Sequence, residues 1–223
     1  MNALASTLLG LFLFVPFLSQ SPVPVGDEPR HHVKLQNEYV RVIDAVVPPG
    51  DTTLFHIHSA DNVPVAISGG KSKTEPLGGQ ASEAEVLTGS VSYRRGSYTH
   101  RITNIGSTPL RFIDAEVLAS PGSRPGSPSL GSVPGHKLAL ENERVRIYQL
   151  TLEPGQSTGL HTHSAYCLTV AISGGELSVA TTGQTVTTDS LKPGDFRWRT
   201  AGVRHSIRNV GSSRFEAVDI EWK

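Results

Sequence analysis

The feature that most constrains this chain is that it repeats itself. Shifted by 105 positions, the 223-residue sequence aligns with itself from His31–Leu118 onto His136–Lys223 without a gap. Asn37-Glu38-Tyr39-Val40-Arg41 meets Asn142-Glu143-Arg144-Val145-Arg146, Pro49-Gly50 meets Pro154-Gly155, and His56-Ile57-His58-Ser59-Ala60 meets His161-Thr162-His163-Ser164-Ala165. The run Val65–Gly70 recurs unchanged at Val170–Gly175, and His100 and Asn104 meet His205 and Asn209. About a third of the aligned pairs are identical, at one constant offset, so the chain holds two copies of one unit. Between them, residues 119–135 are rich in Ser, Pro and Gly and carry no periodic apolar face, the composition of a linker. The expected organisation is a first domain over 31–118 and a second over 136–223.

Each copy reads as all-β. Tyr39–Val47 and Arg144–Leu152 are β-rich runs ended by Pro-Gly turns, and Val63–Ser68 and Leu168–Ser173 are apolar runs closed by Gly-Gly. Phe196–Arg199 alternates aromatic and Arg, the period of a strand. Frequent turns and no convincing amphipathic helix point to a sandwich or small barrel. Lys plus Arg equals Asp plus Glu at 20 each, which speaks against a nucleic-acid surface or polybasic membrane patch. Ahead of the repeats, Leu8–Val15 is an apolar run too short to span a bilayer comfortably, and residues 1–21 read as a signal peptide. That implies a secreted or periplasmic protein with no membrane attachment after cleavage. Cys167 is the one cysteine, so no intrachain disulfide forms.

The chemistry lies in the histidines. On a strand, residues i and i+2 share a face, so His56 and His58 project together, as do His161 and His163. A third His in each copy, His100 or His205, opens a later strand. Three imidazoles converging on one point form one face of a coordination sphere for a divalent transition metal, with Fe, Mn and Zn as candidates. The pattern Gly50, His56, His58, Gly69, repeated as Gly155, His161, His163, Gly174, resembles the first motif of the cupin family. Gly194, Gly202, His205, Asn209 resemble its second motif, and Gly89, His100, Asn104 do so more weakly, with Ser97 in place of the glycine at Gly202. The resemblance implies a bicupin, two tandem double-stranded β-helix (jelly-roll) barrels with a metal inside each. Copy two, which keeps Gly202, is expected to bind metal more tightly and to carry any catalysis.

The sequence departs from the family where its first motif has a glutamate ligand. Asn62 stands there in copy one and Cys167 in copy two, each seven residues before the closing glycine. Either is a candidate for the fourth position. Cys167 has three readings, a thiolate closing a His3Cys set, a thiol tuning the site, or a small core hydrophobe, and the last is the default expectation. Three neutral ligands leave the ion its full charge, which favours an anionic or chelating small molecule. Such a site resembles the three-His iron sites of cupin dioxygenases, whereas oxalate-decarboxylating bicupins use the glutamate that is lacking here. Arg94 and Arg199, equivalent in the repeat, are candidates to hold a substrate carboxylate, although an outward, solvated strand face is the default expectation. His31, His32 and His136, at the domain starts, are expected to cap or to be solvated. The functional expectation is a metal-dependent, oxygenase-like enzyme, possible as a homo-oligomer. A non-enzymatic secreted or periplasmic protein binding a metal or small ligand, and a purely structural bicupin, are the alternatives.

Overall fold

The computed structural model describes residues 21–122 and 129–223. The signal-peptide reading of residues 1–21 therefore falls, apart from Ser21, outside the described residues. Copy one runs through β1 (Val23–Pro24), β2 (His31–Gln36), β3 (Val40–Val47), β4 (His56–His58), β5 (Asp61–Ser68), β6 (Gly70–Pro76), β7 (Ser82–Val86), β8 (Tyr98–Asn104) and β9 (Leu110–Val117). Copy two runs through β10 (His136–Glu141), β11 (Val145–Leu152), β12 (His161–Thr162), β13 (Cys167–Ala171), β14 (Gly175–Thr181), β15 (Thr187–Leu191), β16 (Phe196–Arg199), β17 (Arg204–Asn209) and β18 (Phe215–Trp222). Each copy is two facing sheets. Copy one has the orders β2-β3-β9-β5 and β1-β4-β8-β6-β7; copy two has β10-β11-β18-β13-β16 and β12-β17-β14-β15. The expected all-β jelly roll is present twice, as facing sheets rather than one closed hydrogen-bonded barrel. The Pro-Gly turns behave as read, with Gly50 and Gly155 at φ 78° and 79°, a left-handed backbone that glycine adopts at least cost.

The two copies meet through equivalent faces. Val40, Val42, Val63, Val65, Ile67, Ile113, Ala115 and Val117 form one buried cluster with Val145, Ile147, Leu168, Val170, Ile172, Val218, Ile220 and Trp222. Each residue of the first set is related to one of the second by the offset of 105, so the same patch is used by both partners, as in a two-fold dimer. This explains why β5 and β13 read as continuous apolar runs: one face lines the jelly-roll interior and the other is buried by the neighbouring copy. In β3, Val40 and Val42 face the partner copy while Ala45 and Val47 face inward.

The first unit also reaches further forward than residue 31. Val23–Pro24 pairs in parallel with His56–Ile57, Val25 is buried, and Glu28 is 1% exposed. The matching arm of copy two is Leu130–Ser132, a 3-10 turn whose Leu130 is buried, so the end of the presumed linker packs into the second unit. Val25-Gly26 and Leu130-Gly131 keep the repeat offset, a signal that the more divergent residues around them obscure.

Candidate metal centres

The triads converge as the strand periodicity predicts. His56 and His58 lie on β4, which pairs with β8 so that His56 sits opposite His100; His161 on β12 likewise sits opposite His205 on β17. One ligand nitrogen from each of His56, His58 and His100 falls within 4.8 Å of the others, and the same holds for His161, His163 and His205. His58 Nε2 and His100 Nε2 are 3.3 Å apart; His163 Nε2 and His205 Nε2 are 2.8 Å apart. Two nitrogens bound at about 2.0–2.1 Å to one ion lie about 2.8–3.4 Å apart for octahedral to tetrahedral angles, so the first pair is within that range and the second at its lower edge. His56 Nδ1 donates to Leu54 O at 2.9 Å and His161 Nδ1 to Gly159 O at 3.1 Å, which leaves each Nε2 lone pair facing its cluster. His56 Nε2 is buried with no partner, an orphan that a metal would satisfy.

Electrostatics keep the rings neutral, the form that binds metal. Burial, with neighbouring histidines adding repulsion, holds His56 at about 4, His58 at about 2 and His100 at about 3. In copy two burial holds His163 at about 4 and His205 at about 3, and lowers the more accessible His161. The residues present fit a divalent ion held by His56, His58 and His100, and a second by His161, His163 and His205. The motif asparagines do structural work: Asn104 Nδ2 donates to Val47 O and Thr108 O, and Asn209 Nδ2 to Leu152 O and Ser213 O, each closing the loop behind its His strand.

The residues in the lost glutamate's slot do not join the clusters. Asn62 Nδ2 donates to both oxygens of Asp114, at 2.8 and 2.9 Å, and its Oδ1 accepts from Tyr98 Oη at 2.9 Å. Cys167 is fully buried with its Sγ 3.8 Å from Asp219 Oδ1, and burial, with Asp219 and Glu221 beside it, pushes the thiol well above its usual range. That is the setting of a protonated core thiol, not of a thiolate ligand. The carboxylates inside each copy come instead from the last strand: Asp114 and Glu116 on β9, Asp219 and Glu221 on β18, all buried. Asp114 Oδ2 lies 3.6 Å from His58 Nδ1, behind the ring. No motif marks these residues, but period-two alternation in Ile113–Val117 and Val218–Trp222 places every second residue inside, carboxylates included.

Two further expectations are corrected. His31 and His136 are not solvated caps: the His31 ring is 4.6 Å from that of His56, and its Nδ1 is 2.5 Å from Glu28 Oε2, while His136 Nε2 is 2.9 Å from Asp219 Oδ2. Burial alone would raise Glu28, yet the hydrogen bonds from His31 and the Arg30 amide hold it at about 2. His32 is exposed, as expected. Arg94 and Arg199 face inward rather than outward, because the aromatics beside them, Tyr93 and Trp198, pack into the inter-copy cluster. Arg199 stands opposite Cys167 across the ladder and donates to Thr169 Oγ1 at 2.9 Å; Arg94 stands opposite Asn62.

The copies differ most in the space beside the metal centre. In copy one a cavity of about 230 Å³ borders His56, His58 and His100 and is lined also by Ala45, Ser72, Tyr98 and Arg94. In copy two the corresponding interior holds only about 10 Å³. Leu150, Leu152, Leu177, Leu191 and Phe215 fill it, and their copy-one equivalents are Ala45, Val47, Ser72, Val86 and Leu110. The expectation that copy two carries the chemistry meets this obstacle: the inward positions that border the copy-one cavity carry larger side chains in copy two. His100 is 5% exposed and points inward, so Ser97 in place of glycine has not turned it away.

No family model matches the sequence, and no curated protein does so. Solved structures do. AerE from Microcystis aeruginosa superimposes with a TM-score of 0.63 at 14% identity, over 88% of this chain and 98% of that one. A salicylate 1,2-dioxygenase mutant from Pseudoaminobacter salicylatoxidans in complex with gentisate gives 0.63 at 15%, over 90% and 76%. An oxalate decarboxylase variant from Bacillus subtilis gives 0.61 at 13%, over 92% and 77%. At such identities the likeness is one of fold, and the fold is that of the cupins, present twice in one chain.

Proposed function

We propose that the protein is a metal-dependent enzyme, oxygenase-like, acting on a small anionic or chelating molecule in copy one. The observation that carries this reading is the junction in copy one of a buried three-histidine cluster with a cavity of about 230 Å³, where copy two carries larger apolar side chains at the equivalent inward positions. A bound divalent ion would supply Lewis acidity and, if it were iron or manganese, redox chemistry. The chain's own part is to present three neutral imidazoles and to shape a pocket from apolar walls and a few polar groups. Leu54 O sets the tautomer of His56, and Tyr98 stacks on His58 with ring centroids 4.7 Å apart. Likeness in fold to a dioxygenase and a decarboxylase supports an enzymatic rather than a purely structural role.

The test compares His56→Ala/His58→Ala with His161→Ala/His163→Ala, measuring bound iron, manganese and zinc together with oxygen uptake across a panel of small acids. Each pair is expected to remove about half of the metal, and only the first to abolish uptake. Abolition by the second pair, with the first pair still active, overturns the assignment.

A further inference from the structure

The repeat supplies an internal control for what the first cavity recognises. Asn62, Asp114, Tyr98 and Arg94 form one polar wall: Asn62 joins Asp114 to Tyr98 by hydrogen bonds, and Arg94 is directly opposite Asn62 on the same inward face. Arg94 is exposed yet lines the cavity, which places it at the mouth. In copy two the wall is dismantled. Val203 replaces Tyr98, Cys167 replaces Asn62, Arg199 is engaged by Thr169, and Asp219 is engaged by His136 and Thr169. In copy one, by contrast, Glu28 takes over the equivalent histidine, His31, and leaves Asp114 facing the cavity. Beyond this wall and the histidines the lining is mixed: Phe112, Val47 and Ile102 give it an apolar side, while Ser72, Thr74 and the carboxylate of Glu85 are polar. A dry cavity of about 150 Å³ accepts benzene, so 230 Å³ has room for roughly nine non-hydrogen atoms.

Resting on the function proposed above, we infer that copy one binds a compact monocarboxylic acid with an apolar body of about one ring. The carboxylate pairs with the Arg94 guanidinium, whose fork matches it, and the apolar body lies against Phe112 and Val47. Benzoate, with its neutral isostere benzamide, is the probe. Calorimetric titration of the full chain, metal-loaded and metal-stripped, is expected to show at least a tenfold preference for benzoate. Arg94→Gln should abolish the preference with metal content unchanged, Arg94→Lys should retain part of it, and Arg199→Gln should leave it intact. Equal binding of both probes, no saturable binding of either, or a preference that survives Arg94→Gln overturns the inference. A failure of the functional reading shows elsewhere, as triad variants that lose no metal.

Discussion

One pair of equivalent positions tests the contrast between the two interiors directly. Leu150 is 1% exposed among Leu152, Leu177 and Phe215, whereas its equivalent Ala45 borders the cavity of copy one. Leu150→Ala removes three carbons, about 2.4 kcal/mol of transfer free energy at about 0.8 kcal/mol each, and opens a void in a filled interior. The expected cost is about 3–4 kcal/mol, within the range of about 2–5 seen for such truncations. Ala45→Leu adds the same three carbons to existing space, so it should stay within about 1 kcal/mol of the parent. It also takes roughly a third of the room available to a ligand, and should weaken benzoate binding tenfold or more. Urea titration of the metal-stripped chain, followed by circular dichroism and by fluorescence of Trp198 and Trp222, reads both variants, with unchanged slopes as the check on comparability. If Ala45→Leu destabilises as much as Leu150→Ala, or Leu150→Ala costs under 1 kcal/mol, the assignment of open and filled interiors is wrong.

Glu221 has both carboxylate oxygens buried, and burial, with Asp219 beside it and only partial relief from Arg146 and the Tyr148 hydroxyl, pushes it up to about 7. The folded chain holds a proton there that the unfolded chain releases near 4.5, so its contribution is complete below that pH and lost as pH rises through 7, by roughly 3 kcal/mol at most. Glu221→Gln should therefore flatten the fall in melting temperature between pH 5 and 8 and raise it at pH 8; parallel curves for the two proteins would refute this. Cys167→Ser should keep full metal content, because the thiol lies outside the histidine cluster; loss of half the metal would restore Cys167 as a ligand.

Much of the fold was legible because the constraint is periodic. The constant offset gives two copies, Pro-Gly turns end the strands, and the i, i+2 spacing of His56 and His58 places them on one face whatever packs around them. The facing of Tyr93-Arg94 and Trp198-Arg199 was not legible, since alternation says which residues share a side but not which side is inside. That depends on the neighbouring copy, which buries the aromatics and so turns the arginines inward. His31 and His136 were misread for a related reason: their partners, Glu28 and Asp219, are 3 and 83 residues away, and nothing in the local pattern announces either pairing. The larger interior in copy one was present in the sequence all along, as Ala45 against Leu150 and Ser72 against Leu177. Reading it requires knowing that these positions face inward.

The shared face explains how one copy can stay open while its twin is full. At about 24 cal/mol per Å³, an unfilled interior of 230 Å³ costs about 5.5 kcal/mol if dry, and less to the extent that its polar wall admits water. A small domain has total stability of about 5–15 kcal/mol, and one of under 100 residues sits near the lower end, so copy one alone is poorly placed to carry that cost. Joined to copy two it need not. Val63, Val65, Ile113 and Val117 on its outer face are buried against Leu168, Val170, Val218 and Trp222, each gaining on the order of 1.5–3 kcal/mol from full burial. Copy two gains the same on its side and adds a filled interior of its own. Stability is thus concentrated in the interface and in the second interior. The first interior is left free to trade packing for a cavity, and that asymmetry, more than any difference between the triads, is what the proposed function rests on in placing its site in copy one.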